Sequence, residues 1–313
     1  MTDVLTLGET MAALRTGTPL RLGGTLSLSV AGAESDVAIG LARLGHAARW
    51  IGAVGADEYG ALVLRTLRAE GVAVDGVRVD PTRTTGLLTI ERRFQDVSRV
   101  IYHRAGSAGA SLTPDDVDLS GRPRWLHLTG ITPALSASAA ATVLAALDAA
   151  RAAGVRVCLD VNHRTRLWSS ADAAGFLRPL AGRIDVVVAS EDEVALIAPA
   201  AATTEESRVA ALLGGGVAEV ALKRGGDGAS SYTADGVTHR PAVPVRVLDT
   251  VGAGDAFTAG LLSGHLDSLD ADARLERAVA CAAFAVASAG DWEGAPTRAE
   301  LALLHVGAGQ TQR

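Results

Sequence analysis

Residues 124–161, "RWLHLTGITPALSASAAATVLAALDAARAAGVRVCLDV", decide the fold. Each end is a short, largely apolar run, and the alanine-rich middle reads as a helix over 136–153. A strand without a polar face needs cover on both sides, and a helix between two such strands is the crossover of a parallel sheet. Working outward, "IDVVVAS" (184–190) and "VAEVALKRG" (217–225) read as further strands, with helices over 171–181, 191–198 and 204–213. Toward the N-terminus come "VLTLG" (4–8), a helix from Glu34 to Leu44, the strand "ARWIGAVG" (48–55) and a helix from Glu58 to Glu70. The expectation is a doubly wound, mainly parallel α/β sheet with helices on both faces.

Two stretches break this rhythm. "LSLSV" within 11–32, and "TGLLTIERRF" and "SRVIYHR" within 84–104, alternate polar and apolar residues, as strands with one wet face do. They read as a small β lid over 11–32 and 84–104, leaving 1–10, 33–83 and 105–313 as the core. An antiparallel extension of the core sheet is the alternative. The tail "GAGQTQR" reads as frayed.

The 313 residues, 48% hydrophobic and 20% charged, suffice for one large α/β unit. No run approaches the ~20 apolar residues of a membrane span. The N-terminus has an acid where a signal peptide carries a basic head. Cys158 and Cys281 lie in apolar runs without metal-ligand spacing and read as buried hydrophobes in a reducing cytoplasm. A net charge of −6 argues against nucleic acid or an anionic membrane as partner, and requires local cations for any anionic substrate. Lys223 and Asn162 are the sole lysine and sole asparagine.

In an open parallel sheet, ligands bind beyond the carboxyl ends of the strands. Those ends carry Asp160, Asn162 and Arg164, then Ser190 and Glu193, then Lys223 and Arg224. The two singular residues fall on this one edge. Farther on, "DTVGAGDAFTAG" (249–260) presents Gly252, Ala253 and Gly254 before an apolar helix that begins near Gly254. Successive unobstructed N–H groups and the positive helix end make an anion hole suited to a phosphate. Asp255, in the first helical turn, is placed to accept a proton from an attacking hydroxyl; capping the helix is its alternative role. The patterns GxxxxGK[ST], H-E-x-x-H, C-x-x-C and G-x-S-x-G are absent, and no G-x-G-x-x-G follows the first strand.

"DTVGAGDAFTAG" resembles the C-terminal signature of the ribokinase-like (PfkB) carbohydrate kinases, and "VAGAESDVAIGLARLG" (30–45) resembles their N-terminal Gly-Gly motif, with Ala31 for the first glycine. The resemblance spans essentially the whole chain. "VIYHRAGSAGASL", "LHLTGITPALS", "LDVNHRTRLWS", "ALKRGGDGA" and "GDWEGAP" look most like the 2-keto-3-deoxygluconate kinases of that family.

The resemblance implies transfer of the γ-phosphoryl group of ATP to a sugar hydroxyl. Asp255 would be the base, with Gly252, Ala253 and Gly254 the anion hole. Asn162, Ser190, Lys223 and Gly225 would lie near the nucleotide, and Glu193 would reach Mg2+ through water. Ser190 stands where the family's Asn-x-x-Glu motif has asparagine. Gly32, Asp36, Tyr102, Arg104, Ile131, Arg164, Asp255 and Asp291 would face the sugar, with Arg104 and Arg164 offering two-pronged donors to its carboxylate. Leu88 stands where a tyrosine is frequent, and Asp36 where asparagine is usual. K+ near Asp249 and pairing of lids into a homo-oligomer are further possibilities. The reading is a cytoplasmic, Mg2+-dependent sugar-acid kinase. A sibling acting on a neutral sugar or nucleoside, and a non-catalytic sugar- or nucleotide-binding module, are its rivals.

Overall fold

The computed structural model describes residues 2–94 and 97–305. In chain order these residues form β1 (Val4–Leu7), β2 (Met11–Thr16), β3 (Ser27–Ala31), α1 (Ala33–Arg43), β4 (Ala48–Ile51), β5 (Ala53–Gly55), α2 (Glu58–Ala69) and β6 (Arg78–Asp80). There follow β7 (Leu87–Phe94), β8 (Val97–His103), β9 (Trp125–Thr129), α3 (Ala137–Ala153), β10 (Arg156–Asp160), α4 (Ser170–Leu177) and β11 (Val186–Ser190). The last third supplies α5 (Val194–Ile197), α6 (Glu205–Gly214), β12 (Glu219–Lys223), β13 (Ala229–Thr233), β14 (Gly236–Arg240), α7 (Ala253–Leu266) and α8 (Ala271–Val286).

The main sheet runs β14-β13-β12-β11-β10-β9-β1-β4. Its six strands from β12 to β4 are parallel, and β13 and β14 extend one edge antiparallel. Alternation within each strand feeds two cores. Leu126, Leu128, Val157 and Leu159 pack with Val143 and Leu147 of α3, Leu177 of α4 and Leu212 of α6. Trp125, Cys158 and Val186 face the opposite way, onto Val37 and Leu41 of α1, Phe257 and Leu261 of α7, and Leu275 of α8. The strands therefore lack a wet face, as a sheet covered on both sides requires.

Local chemistry sets the helix ends. The Ser136 hydroxyl accepts from Ala139 N at the start of α3, and Gly154 closes it at φ 69°. The helix expected over 171–181 ends at Leu177 and tightens into a 3₁₀ turn over Arg178–Arg183, because Pro179 cannot extend it. The strand expected over 48–55 is two. Trp50's indole lies against the α-carbon of Gly52, where a side chain would overlap the ring. Beyond that break, β5 leaves the main sheet to pair with β6. The hairpin β13–β14 and the helix α8 were not expected from the sequence. The tail 307–313, expected to fray, lies outside the described residues.

Strands β3-β2-β7-β8 form a separate four-stranded sheet, with β2 and β7 parallel and the other pairs antiparallel. Its dry face packs Met11, Ala13, Ala31, Leu88 and Ile90 together. Leu88 is thus held in an apolar cluster. Leu28 and Tyr102 are exposed. The sheet leaves the main one beyond the carboxyl end of β1 and returns at α1, so it arises where an α/β sheet binds its ligands.

Candidate active site

The turn before α7 is built on glycine for two distinct reasons. Gly252, at φ 75°, is the residue preceding the helix, and a side chain there would overlap the carbonyl oxygen of Asp291. At Gly254 the constraint is Lys223, whose Nζ would lie 3.3 Å from an added Cβ. The first turn of α7 therefore presents its N–H groups beside an ammonium, which favours an anion. No side chain caps this helix, so Asp255 does not act as the cap.

Asp255 is instead buried, with Asn162 Nδ2 donating to its Oδ1 at 3.4 Å. Burial above all, then Asp160 and Glu34, push its carboxyl up to about 8, against the pull of Arg164 and Lys223. A proton acceptor whose affinity lies near neutral pH suits general-base work.

Lys223 Nζ donates to both oxygens of Asp160, at 2.9 and 2.8 Å, and the Thr258 hydroxyl of α7 adds a third bond to that carboxylate at 3.2 Å. Burial works against the Lys223 charge, but Asp160 and Glu193 more than offset it and hold the ammonium protonated. Asn162 adopts φ 38°, a left-handed conformation that asparagine tolerates better than most residues. Glu193 accepts from His163 N at 2.7 Å and from Ser190 N at 2.8 Å, while Ser190 Oγ accepts from Glu193 N at 3.3 Å. Both carboxylate oxygens of Glu193 are thus engaged by backbone, which fits contact with a nucleotide-borne Mg2+ through water. Among the described residues there is no group of three or more His, Cys, Asp or Glu able to hold a metal. Gly225, at φ 54°, opens the turn after β12.

On the side of the small sheet, Gly32 N donates to Asp36 Oδ2 at 3.4 Å. Burial, with Asp291 and Asp255 nearby, raises the Asp36 carboxyl well above its usual range. The same burial and neighbouring acids favour the protonated form of Asp36. Glu34 accepts from the hydroxyls of Thr129 and Thr132, both at 2.6 Å, and Thr129 Oγ1 also accepts from Ile131 N at 3.0 Å. Arg104 Nε pairs with Glu9 at 2.7 Å, its guanidinium 5.2 Å over the Tyr102 ring. Ser107 Oγ donates to the other Glu9 oxygen at 2.6 Å. Arg164 is exposed at the rim.

Asp291 and Asp249 share a partner: Arg15, from β2, ion-pairs with both, at 3.3 Å to Asp249. Burial raises Asp291 to about 6 despite this arginine.

Hydrogen bonds and mutual charge effects thus join Gly32, Asp36, Asn162, Arg164, Lys223, Asp255 and Asp291. Arg104 and Ile131 meet the cluster through Glu34. Sequence reasoning missed Glu9, Arg15 and Glu34, and assigned Asp160 no partner. The signal for Glu9 and Glu34 was an acid within an apolar run. Arg15 gave none, since it reads as the wet side of an alternating strand.

The pfkB family carbohydrate kinase pattern matches residues 1–298. The 2-dehydro-3-deoxygluconokinase of Bacillus subtilis is 37% identical over 311 residues, covering 96% of this chain and 94% of that protein. That of Thermoproteus tenax is 35% identical over 308 residues, covering 96% and 93%. A candidate ribokinase II of Escherichia coli, solved with ATP and Mg2+, superimposes with a TM-score of 0.90 at 28% identity, covering 97% of this chain and 99% of that one. A glycine-built helix start beside Lys223, a buried acid in its first turn and matches of this extent agree: the chain belongs to the pfkB family of carbohydrate kinases.

Proposed function

We propose that the protein transfers the γ-phosphoryl group of ATP to the terminal hydroxyl of 2-keto-3-deoxygluconate. The observation that carries this reading is Asp255, buried yet proton-accepting near neutrality, in the same helical turn as an anion hole flanked by Lys223. Asp255 takes the hydroxyl proton as that oxygen bonds to the γ-phosphorus and the bond from phosphorus to the β-phosphate oxygen breaks, releasing ADP. Gly252, Ala253 and Gly254 hold the charge that builds on the transferring group. Asn162, Lys223, Ser190 and Gly225 line the nucleotide's side. Glu193 would meet Mg2+ through water, and the ion supplies charge neutralisation on the phosphates. Arg104 and Arg164 receive the sugar's carboxylate, with Gly32, Asp36, Tyr102 and Ile131 around the rest. Segments 11–32 and 84–104 form the lid, and exposed Leu26 and Leu28 on it suit pairing with a second copy. The cytoplasm supplies both substrates.

ADP release measured with a panel of sugars tests this. Turnover is expected with 2-keto-3-deoxygluconate and should fall by about 10² to 10⁴ in Asp255→Asn. Arg104→Ala and Arg164→Ala should each lower kcat/KM for the acid by about tenfold or more, the scale of a lost charged hydrogen bond, while sparing neutral sugars. Full activity of both arginine variants on the acid would refute the substrate assignment, and an unaffected Asp255→Asn would refute the base.

A further inference from the structure

Arg15 belongs to the four-stranded sheet, yet its guanidinium ends in the backbone turn that opens α7. Nη1 lies 3.3 Å from Asp249 Oδ2, and Nη2 pairs with Asp291 Oδ2. All three side chains are largely buried, at 18, 11 and 9% exposure, so the pairs are shielded from solvent. Each acid in turn touches the turn's backbone. Asp249 Oδ1 accepts from Val251 N at 3.2 Å, and the Asp291 carbonyl oxygen packs on Gly252 where a side chain would collide. We infer that Arg15 is a positioning residue for phosphoryl transfer: it clamps Asp249 to Asp291, fixes the Gly252–Gly254 turn between them, and ties that turn to the small sheet.

Two further bonds make the same connection. Ser29 Oγ of β3 donates to Glu293 Oε1 at 2.6 Å, and Trp292 Nε1 donates to Val30 O at 3.2 Å. From the core, Arg43 donates to the carbonyls of Glu293 and Ala295 at 3.0 and 2.7 Å. Segment 291–295 is therefore held on both sides, and Arg15 is its ionic link to the turn. The charge balance requires such a cation. Asp36, Asp249, Asp255, Asp291 and Glu293 crowd this region, and a phosphate at Gly252–Gly254 would add to them. A fixed guanidinium lowers that repulsion without needing a dissolved ion. It also occupies Asp249 Oδ2, an acceptor that a monovalent cation would otherwise use, so the chain carries its own cation there. Asp291 Oδ2, taken by Arg15, serves the clamp rather than a sugar hydroxyl.

The inference rests on the proposed place of the phosphate, not on which sugar is used. The test employs whichever sugar supports wild-type turnover, with Arg15→Ala, Arg15→Lys, Asp249→Asn and the Arg15→Ala/Asp249→Asn double variant. Wild-type kcat is expected to be the same in Na+ and K+ buffers. In Arg15→Ala kcat should fall about tenfold or more, as for a broken buried pair, with partial recovery on adding K+ or guanidinium. Arg15→Lys, which keeps the charge but loses the fork, should fall between them. The double variant should be no slower than Arg15→Ala, because the two side chains act as a unit. A wild-type requirement for K+, or Arg15→Ala with a lowered Tm and unchanged kcat, would overturn the inference. Should no sugar be turned over, the proposed function fails, and the clamp is read from binding. Arg15→Ala must then weaken ATP more than ADP, and equal weakening overturns the inference.

Discussion

At the scale of one residue, the proposed base, Asp255, links rate to stability. Asp255→Asn removes the proton acceptor and should lower kcat by about 10² to 10⁴, measured as sugar-dependent ADP release. The base works only when ionised, so in wild type kcat/KM should rise with pH along a limb governed by a group that titrates near 8 in the free protein. Stability runs the other way. An aspartate in the unfolded chain titrates at about 3.9, so the folded protein binds this proton more tightly. That contribution is fully present below about pH 4 and is lost as pH rises through about 8. Asp255→Asn has no such loss. Its Tm advantage should grow from pH 5 to 8, reach about 2 °C or more and then level, as scanning calorimetry would record. A Tm difference independent of pH would contradict the buried carboxyl. The sequence marked this residue by its place one position after Gly254. It left open capping against catalysis, because caps and bases share the same residue type at a helix start.

At the scale of the element, the turn into α7 is tightly constrained at Gly252. Gly252→Ala would place a methyl group on the Asp291 carbonyl at φ 75°. It should destabilise by about 1–3 kcal/mol and lower kcat more than it raises KM for the sugar, as denaturant titration and steady-state kinetics would measure. Gly254→Ala meets only the Lys223 side chain, with Nζ nearest at 3.3 Å, and should cost less stability while weakening ATP. Glycines at this turn were legible because an anion hole demands bare backbone. Their second reason, the packing of residue 291 against residue 252, spans too much sequence for any local pattern to hold. The break after Ile51 is similar: "ARWIGAVG" reads as one strand until Trp50 folds its ring onto Gly52. In the hairpin β13–β14, the polar run "ASSYT" concealed a strand whose pairing partner, β12, supplies most of its reason to extend.

At the scale of the whole molecule, the small sheet stands beyond the carboxyl ends of β1 and its neighbours and reaches the core through Arg15, Ser29 and Val30. Arg166 of the loop after β10 adds a bond to Val100 O of β8 at 2.8 Å. Hydrogen exchange should therefore slow in β7 and β8 when sugar and nucleotide bind together, more than with either alone. Equal protection by nucleotide alone would argue against a lid. Among the described residues, no helix is long and apolar enough to cross a membrane.

The sequence by itself determined the layered α/β architecture, the alternating small sheet and the edge that carries Asn162, Glu193, Lys223 and Asp255. Periodicity, strand–helix order and motif spacing are local, and local pattern suffices to say which face is dry and which strand end meets a helix. Only the tertiary structure decided what surrounds each charge. Glu9 meets Arg104 across 95 positions, the difference of their numbers, and Asp291 meets Arg15 across 276. The Asp36 carboxyl is raised above its usual range only because burial and nearby acids, Asp291 and Asp255 foremost, surround it. Such effects depend on distance through space and on the exclusion of water, and neither quantity is written along the chain.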